Sequence, residues 1–95
     1  MDGLRIDKWL WFARFCKSRS LAQHLIDEGA VKLNNRPIDK VSTTVREGDE
    51  LTFRQGRGWR RVMVTGIGSR RGSTSEAQAL YQELAAPDPP PDDWA

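Results

Sequence analysis

Cysteine, histidine and tyrosine each occur once in these 95 residues. A single Cys16 cannot close an intrachain disulfide, which suits a reducing cytoplasm. The lone His24 has no Cys, Asp or second His at ligand spacing, so no metal site is expected. No apolar run approaches the roughly twenty residues of a membrane span, and the N-terminus lacks the apolar core of a signal peptide. There is no Ser/His/Asp or Cys/His set, no phosphate-cradling P-loop and no pair of carboxylates suited to one cleft. Catalytic residues, cofactors and a small-molecule substrate are therefore not expected. Hydrophobic residues make up only 38% of the chain, enough for one modest core and ordinary stability. The expectation is a single, monomeric, cytoplasmic domain that binds rather than catalyses.

Positive charge is what the chain has in excess, and it is unevenly spread. All 15 lysines and arginines fall between Arg5 and Arg71. Residues 1–75 set 8 acids against them, a balance of +7, whereas the last twenty residues hold 5 acids and no base. A basic body points to a polyanionic partner. The PDPPPDDWA end, rich in proline and like charge, reads as a disordered acidic tail over 87–95 that competes for the same body.

The basic charge concentrates in one stretch, Arg5 to Asn34. Ile6, Trp9, Leu10 and Ala13 recur at three- and four-residue spacing, the period of a helix buried on one face. Arg5, Lys8, Arg14 and Lys17 lie elsewhere on that wheel, as does Trp11. The run Cys16 to Ser20 breaks the pattern. Ser18 or Ser20 can cap a second helix, and Ser20 with Gln23 has capping-box spacing. Leu21, Ala22, Leu25 and Ile26 form its apolar face, and Gly29 stands where a left-handed C′ residue is wanted. Asp7, in the first turn of helix one, complements the helix dipole. A basic, capped corner between two helices is suited to phosphates.

These residues resemble a known family. Arg5-Ile6-Asp7, Ser18-Arg19-Ser20-Leu21-Ala22, Leu25 to Val31 (LIDEGAV) and Gly48-Asp49 resemble the alpha-L RNA-binding motif, or S-four domain. DKWLWFARFCKSR (7–19), LTFRQG (51–56) and Ser75-Glu76-Ala77-x-x-Leu80-Tyr81 resemble its ribosome-associated heat-shock branch. The likeness runs from about Leu4 to Leu84. It implies an α+β fold: two N-terminal helices on a small, mostly antiparallel sheet, with a short C-terminal helix. It also implies binding to structured RNA, namely ribosomal RNA of the large subunit, including a subunit stranded with peptidyl-tRNA after stress. Two features depart from the pattern. Asn34-Asn35 replaces the usual Asn-Gly turn, and Gln23 stands where an arginine is common. The relatives' basic C-terminal extension is also replaced by the acidic end.

The RNA-facing set expected from these readings is Arg5, Lys8, Trp11, Arg14, Lys17, Ser18, Arg19, Ser20, Gln23, Lys32, Arg36 and Lys40. Arg19 leads it, because a forked guanidinium matches phosphate geometry. Trp11 is open to two readings, stacking on a splayed base or packing within the domain. Arg70 and Arg71 offer secondary contacts, and Phe15 has no assigned place. Beyond Gly29 the period becomes two. Val31 and Leu33 begin a strand, Pro37 marks an edge, Glu50 to Gln55 alternates, and Trp59 to Ile67 is the longest strand. Met1 to Leu4 reads as a frayed lead-in. Ser75 is expected to cap a last helix, Glu76 to Ala85, closing the sheet through Ala77, Leu80, Tyr81 and Leu84. The domain thus spans 4–68, with 69–86 packed on it. A protein-interaction module using exposed aromatics and the acidic tail is the alternative function.

Overall fold

The computed structural model describes residues 3–55, 58–68 and 71–84. The chain opens with a two-residue strand, β1 (Leu4–Arg5), and the helices α1 (Ile6–Phe12) and α2 (Arg19–Asp27). Strands β2 (Val31–Leu33), β3 (Arg36–Pro37), β4 (Thr44–Val45), β5 (Glu50–Gln55) and β6 (Gly58–Val64) follow. A short helix α3 (Thr74–Gln78) and a last strand β7 (Tyr81–Glu83) complete it. The main sheet is antiparallel in the order β3-β2-β5-β6-β7, and β1 pairs with β4 as a separate ribbon. This is the expected α+β arrangement. Leu4 is part of β1 rather than a frayed lead-in.

Helix α1 buries the face that its period marks: Ile6, Trp9 and Leu10 are fully buried and Ala13 nearly so. They meet Val31, Leu51, Phe53, Val62 and Val64 from one face of the sheet. The Trp9 indole N–H also donates to the Gly66 carbonyl at 2.9 Å. The helix stops at Phe12, earlier than the pattern suggests, because Arg14 turns left-handed at φ 64°. The reversal sends Phe15 inward. Its ring sits 5.9 Å from Trp9, 4.8 Å from Phe53 and 4.6 Å from Tyr81, making it the hub of the aromatic core.

Ser18, not Ser20, caps α2, its hydroxyl accepting the Leu21 amide at 3.2 Å. At the other end Gly29 takes φ 74°, the Gly29 amide donates to Ile26 and the Ala30 amide to Leu25. That pair of bonds is a Schellman closure. Leu21 departs from the expected apolar face, being 47% exposed where Ala22 and Ile26 are fully buried. Asn34 and Asn35 both adopt positive φ, 50° and 72°, so the two-residue hairpin survives without glycine. Asn34 also ties that hairpin to β5, accepting the Glu50 amide at 2.9 Å and donating to Asp49 at 3.2 Å.

The C-terminal segment differs most from expectation. Ser73, rather than Ser75, caps α3 in a reciprocal box with Glu76, and the helix ends at Gln78. Tyr81 to Glu83 then pairs with Val62 to Val64 as β7. Strand β6 would otherwise leave a row of amides and carbonyls unpaired along that edge, and satisfying them outweighs two further turns of helix. β6 itself ends at Val64, short of Ile67, and both Thr65 and Gly66 donate their amides to the Leu80 carbonyl.

Candidate nucleic-acid interface

Asp7 organises the corner between α1 and α2. It is the buried charged residue among the described ones, with no solvent exposure. Five donors converge on its carboxylate. The Lys8 amide lies at 2.8 Å, Gln23 Nε2 at 3.0 Å, Arg5 Nε and Nη2 at 3.2 Å each, and Arg19 Nη2 at 3.3 Å. Burial pushes the Asp7 pKa up, but the hydrogen bonds from Gln23 and Arg5 and the charges of Arg5 and Arg19 outweigh it. The net shift is downward, and the group is ionised at neutral pH.

Stability at low pH should reflect this. A carboxylate whose folded pKa lies below its unfolded one stabilises the fold fully above the unfolded value, about 3.9 for Asp. That contribution is lost as pH falls through the folded value. The melting temperature should therefore hold from neutrality to about pH 4 and drop below it, and Asp7→Asn should flatten the drop. Thermal melts across pH, monitored by circular dichroism, check this. An equally steep acid limb in Asp7→Asn would mean that other carboxylates control it.

Arg5 and Arg19 keep much of their side chains in solvent, 46% and 39% respectively, while sharing one carboxylate oxygen. Each guanidinium has five N–H donors, and the shared bonds use only some of them. Arg19 Nε is buried and without a partner among the described residues. Arg19, which leads the expected RNA-facing set, is thus half tethered, to Asp7. Gln23, expected near phosphate, spends its amide N–H on Asp7. Lys17 and Ser20 are exposed at the same tip, and Ser18 is half-buried with its hydroxyl already capping α2.

Lys8 and Trp11 lie along another side of α1, with Arg14 just past its end, and all three have partners within the protein. The Lys8 ammonium sits 5.6 Å over the Phe12 ring. Arg71 caps Trp11, its guanidinium 5.5 Å from the ring and its Nε donating to the Trp11 carbonyl at 3.1 Å. Arg14 Nε donates to the Gly72 carbonyl at 2.8 Å. Of the two readings of Trp11, packing within the domain accounts for the ring face that Arg71 covers. Arg71 itself clamps the loop to the helix, and Arg70 and Arg57 fall outside the described residues, as does the tail.

Strand register separates Lys32 from the corner. Lys32 stands across from Thr52, and Thr52 from Arg61, on the sheet face opposite Leu51 and Phe53. Arg36 is exposed on the edge strand β3. Lys40 is exposed in the loop that ends at Thr43, whose carbonyl accepts the Ile6 amide at 2.7 Å, so that loop lies at the start of α1.

Elsewhere three arginines are paired with carboxylates, Arg54 with Glu28, Arg60 with Glu83 and Arg61 with Glu50, while Arg14, Arg36, Arg46 and Arg71 have no ion pair with a carboxylate among the described residues. At the α1–α2 corner two arginines share one acid, and Lys17 beside them has no ion pair among the described residues. That sharing of one acid by two arginines sets the corner apart. A shallow cleft of about 480 Å³ adjoins it, lined by Lys17, Leu21, His24 and Leu25 among others. His24 pairs with Glu28 at 2.9 Å, and no cluster of potential metal ligands occurs among the described residues. Burial pushes the Cys16 thiol up to about 11, so it is protonated at neutral pH and a poor nucleophile. No helix among the described residues is long and apolar enough to cross a membrane.

A basic corner between two short helices, set on a small antiparallel sheet, is the arrangement of an RNA-binding module of the alpha-L type. The S4 domain family pattern matches residues 4–51, and the chain belongs to that family. It is similar to the heat shock protein 15 homolog of Haemophilus influenzae, 44% identical over 80 residues that cover 84% of this chain and 60% of the relative. The chain thus spans about 60% of that relative's length. It is also similar to the RQC P-site tRNA stabilizing factor of Halalkalibacterium halodurans, 34% identical over 83% of this chain and 88% of that protein. A solved trimeric structure of Vibrio cholerae heat shock protein 15 superposes with a TM-score of 0.83 at 40% identity, over 88% of this chain and 84% of the other.

Proposed function

We propose that this protein is a non-enzymatic, cytoplasmic binder of structured ribosomal RNA that acts on the large subunit, including one that still carries a peptidyl-tRNA. The carrying observation is the pair of guanidiniums at the α1–α2 corner, where Arg5 and Arg19 share the Asp7 carboxylate beside Lys17. Two half-exposed guanidiniums held close together suit adjacent phosphates, to which arginine can bond bidentately. The similarity to heat shock protein 15 and to a factor named for stabilising P-site tRNA supports the ribosomal setting. Arg5, Lys17, Arg19 and Ser20 form the centre of the proposed contact, with Lys40 at its margin. Lys8, Arg14 and Trp11 flank it, and Ser18 and Gln23 shape it. Arg36 extends the surface along the sheet edge, and Lys32 contributes through long-range charge.

The binding should be mainly electrostatic. About five to seven phosphate contacts, at roughly −0.7 to −0.9 each, give a slope of about −4 to −6 for log affinity against log salt. Anisotropy with labelled fragments of large-subunit ribosomal RNA over a salt series measures it, and cosedimentation with separated subunits tests the target. A slope near zero, or partition with small subunits alone, overturns this reading.

A further inference from the structure

Asp7 poses a problem that the binding reading leaves open. A carboxylate at the centre of a phosphate-binding surface repels the ligand, yet this one is buried beneath the two arginines with the most favourable placement. We propose that Asp7 is a positioning residue: it tethers Arg5 and Arg19 from below, so that the Nη groups it does not bind, rather than the buried Arg19 Nε, are held outward for the RNA backbone. This rests on the RNA-binding reading above and deepens it.

The geometry supports the role in three ways. First, Asp7 takes both Arg5 bonds from one edge of the guanidinium, Nε and Nη2, leaving Nη1 without a partner among the described residues and the plane fixed. Second, Arg19 approaches from α2 through Nη2 alone, so the same oxygen sets the spacing between groups from β1 and α2. Third, Gln23 Nε2 and the Lys8 amide hold the carboxylate itself, so the anchor does not swing. A free arginine must surrender rotamer freedom when it meets a phosphate, whereas a tethered one has lost much of it already. The carboxylate's cost is a screened repulsion across the guanidiniums that cover it. Its gain is two preorganised forks.

The two accounts of Asp7 differ in sign. If only charge counts, Asp7→Asn removes a negative group from the binding surface, and RNA binding should tighten with an unchanged or steeper salt slope. If Asp7 positions the arginines, Asp7→Asn should weaken binding by about tenfold or more, within the range for charge-assisted hydrogen bonds, with a slope shallower by about one contact. Affinity for labelled fragments of large-subunit ribosomal RNA is measured on protein shown to be folded by its melting curve. In an Arg5→Ala/Arg19→Ala background, Asp7→Asn should cost nothing further, because nothing remains to be positioned. A purely structural Asp7 would leave the affinity of the folded fraction no weaker in either background.

Should Asp7→Asn not fold, nitrogen-15 spectra of arginine side chains in the unaltered protein decide the question. Hindered Arg5 and Arg19 guanidinium signals that shift together on RNA addition support the tether. Freely rotating signals, or shifts confined to other arginines, overturn it. Failure of the unaltered protein to bind any RNA would defeat the functional reading while leaving hindered signals in free protein intact. Equal or tighter binding by folded Asp7→Asn would defeat the positioning role alone.

Discussion

Trp9→Ala is expected to cost about 3–5 kcal/mol, the usual range for emptying a large aromatic site. Trp9 is fully buried and is the largest of the wholly enclosed side chains. It packs against Phe15, which in turn joins Phe53 and Tyr81, so its loss opens a gap beneath α1 where helix and sheet meet. The indole N–H also satisfies the Gly66 carbonyl just beyond β6, and truncation leaves that acceptor without its partner. Small domains are typically stable by about 5–15 kcal/mol, so this one change removes a large share of the margin. Each kcal/mol lowers the melting temperature of such a domain by about 4–8 °C. Trp9→Phe should recover most of the packing but not the hydrogen bond. Trp11→Ala, on a half-buried ring covered by Arg71, should cost far less. Urea titrations of the three variants rank them. A Trp11 variant less stable than the Trp9 variant would show that the Arg71 clamp, not the core, holds α1.

Arg19→Ala should weaken RNA binding by about 1.5–3 kcal/mol, the range for a hydrogen bond to a charged group. The structure adds a second effect absent from a fully solvated arginine. Arg19 neutralises part of a buried carboxylate, so its removal should also lower stability. Because its side chain is 39% exposed and Arg5 still pairs with Asp7, solvent screening holds that loss to about 1 kcal/mol or less. Arg19→Lys should recover part of the affinity, since an ammonium keeps the charge but not the fork. The control is Arg61→Ala, on the opposite face of the sheet and paired with Glu50 at 2.6 Å, which should leave affinity nearly unchanged. Affinity and melting temperature for all three variants at one salt concentration separate the effects. If Arg61→Ala costs as much affinity as Arg19→Ala, binding is diffuse and the corner is not its centre.

The parts that could be read from sequence are those with local causes. The buried face of α1 follows from a three-to-four-residue period, and the end of α2 from a glycine where a left-handed residue is needed. The hairpin at Asn34-Asn35 follows from the tolerance of asparagine for positive φ. The edge position of Pro37 follows from its missing amide, and its pairing with Lys32 on an outer strand agrees. In each case the residue and the structure it dictates lie within one turn of each other, so composition and spacing suffice.

The remainder depends on partners that are distant along the chain. Asp7 reads as a dipole-complementing acid until the fold brings Arg19 and Gln23, 12 and 16 residues on, to its carboxylate. Phe15 has no periodic signature because the left-handed turn at Arg14 ends the helix before it. The residues after α3 favour helix locally, yet they pair with β6, because an unpaired strand edge costs more than two lost turns of weak helix. Sequence by itself determined the family, the two N-terminal helices with the strands after them, and the basic character of the first helical stretch. Tertiary structure alone decided which of those basic groups are tethered, which are clamped and which face the far side of the sheet. Long-range pairing and strand register set where a charge ends up, and neither leaves a periodic trace in the chain.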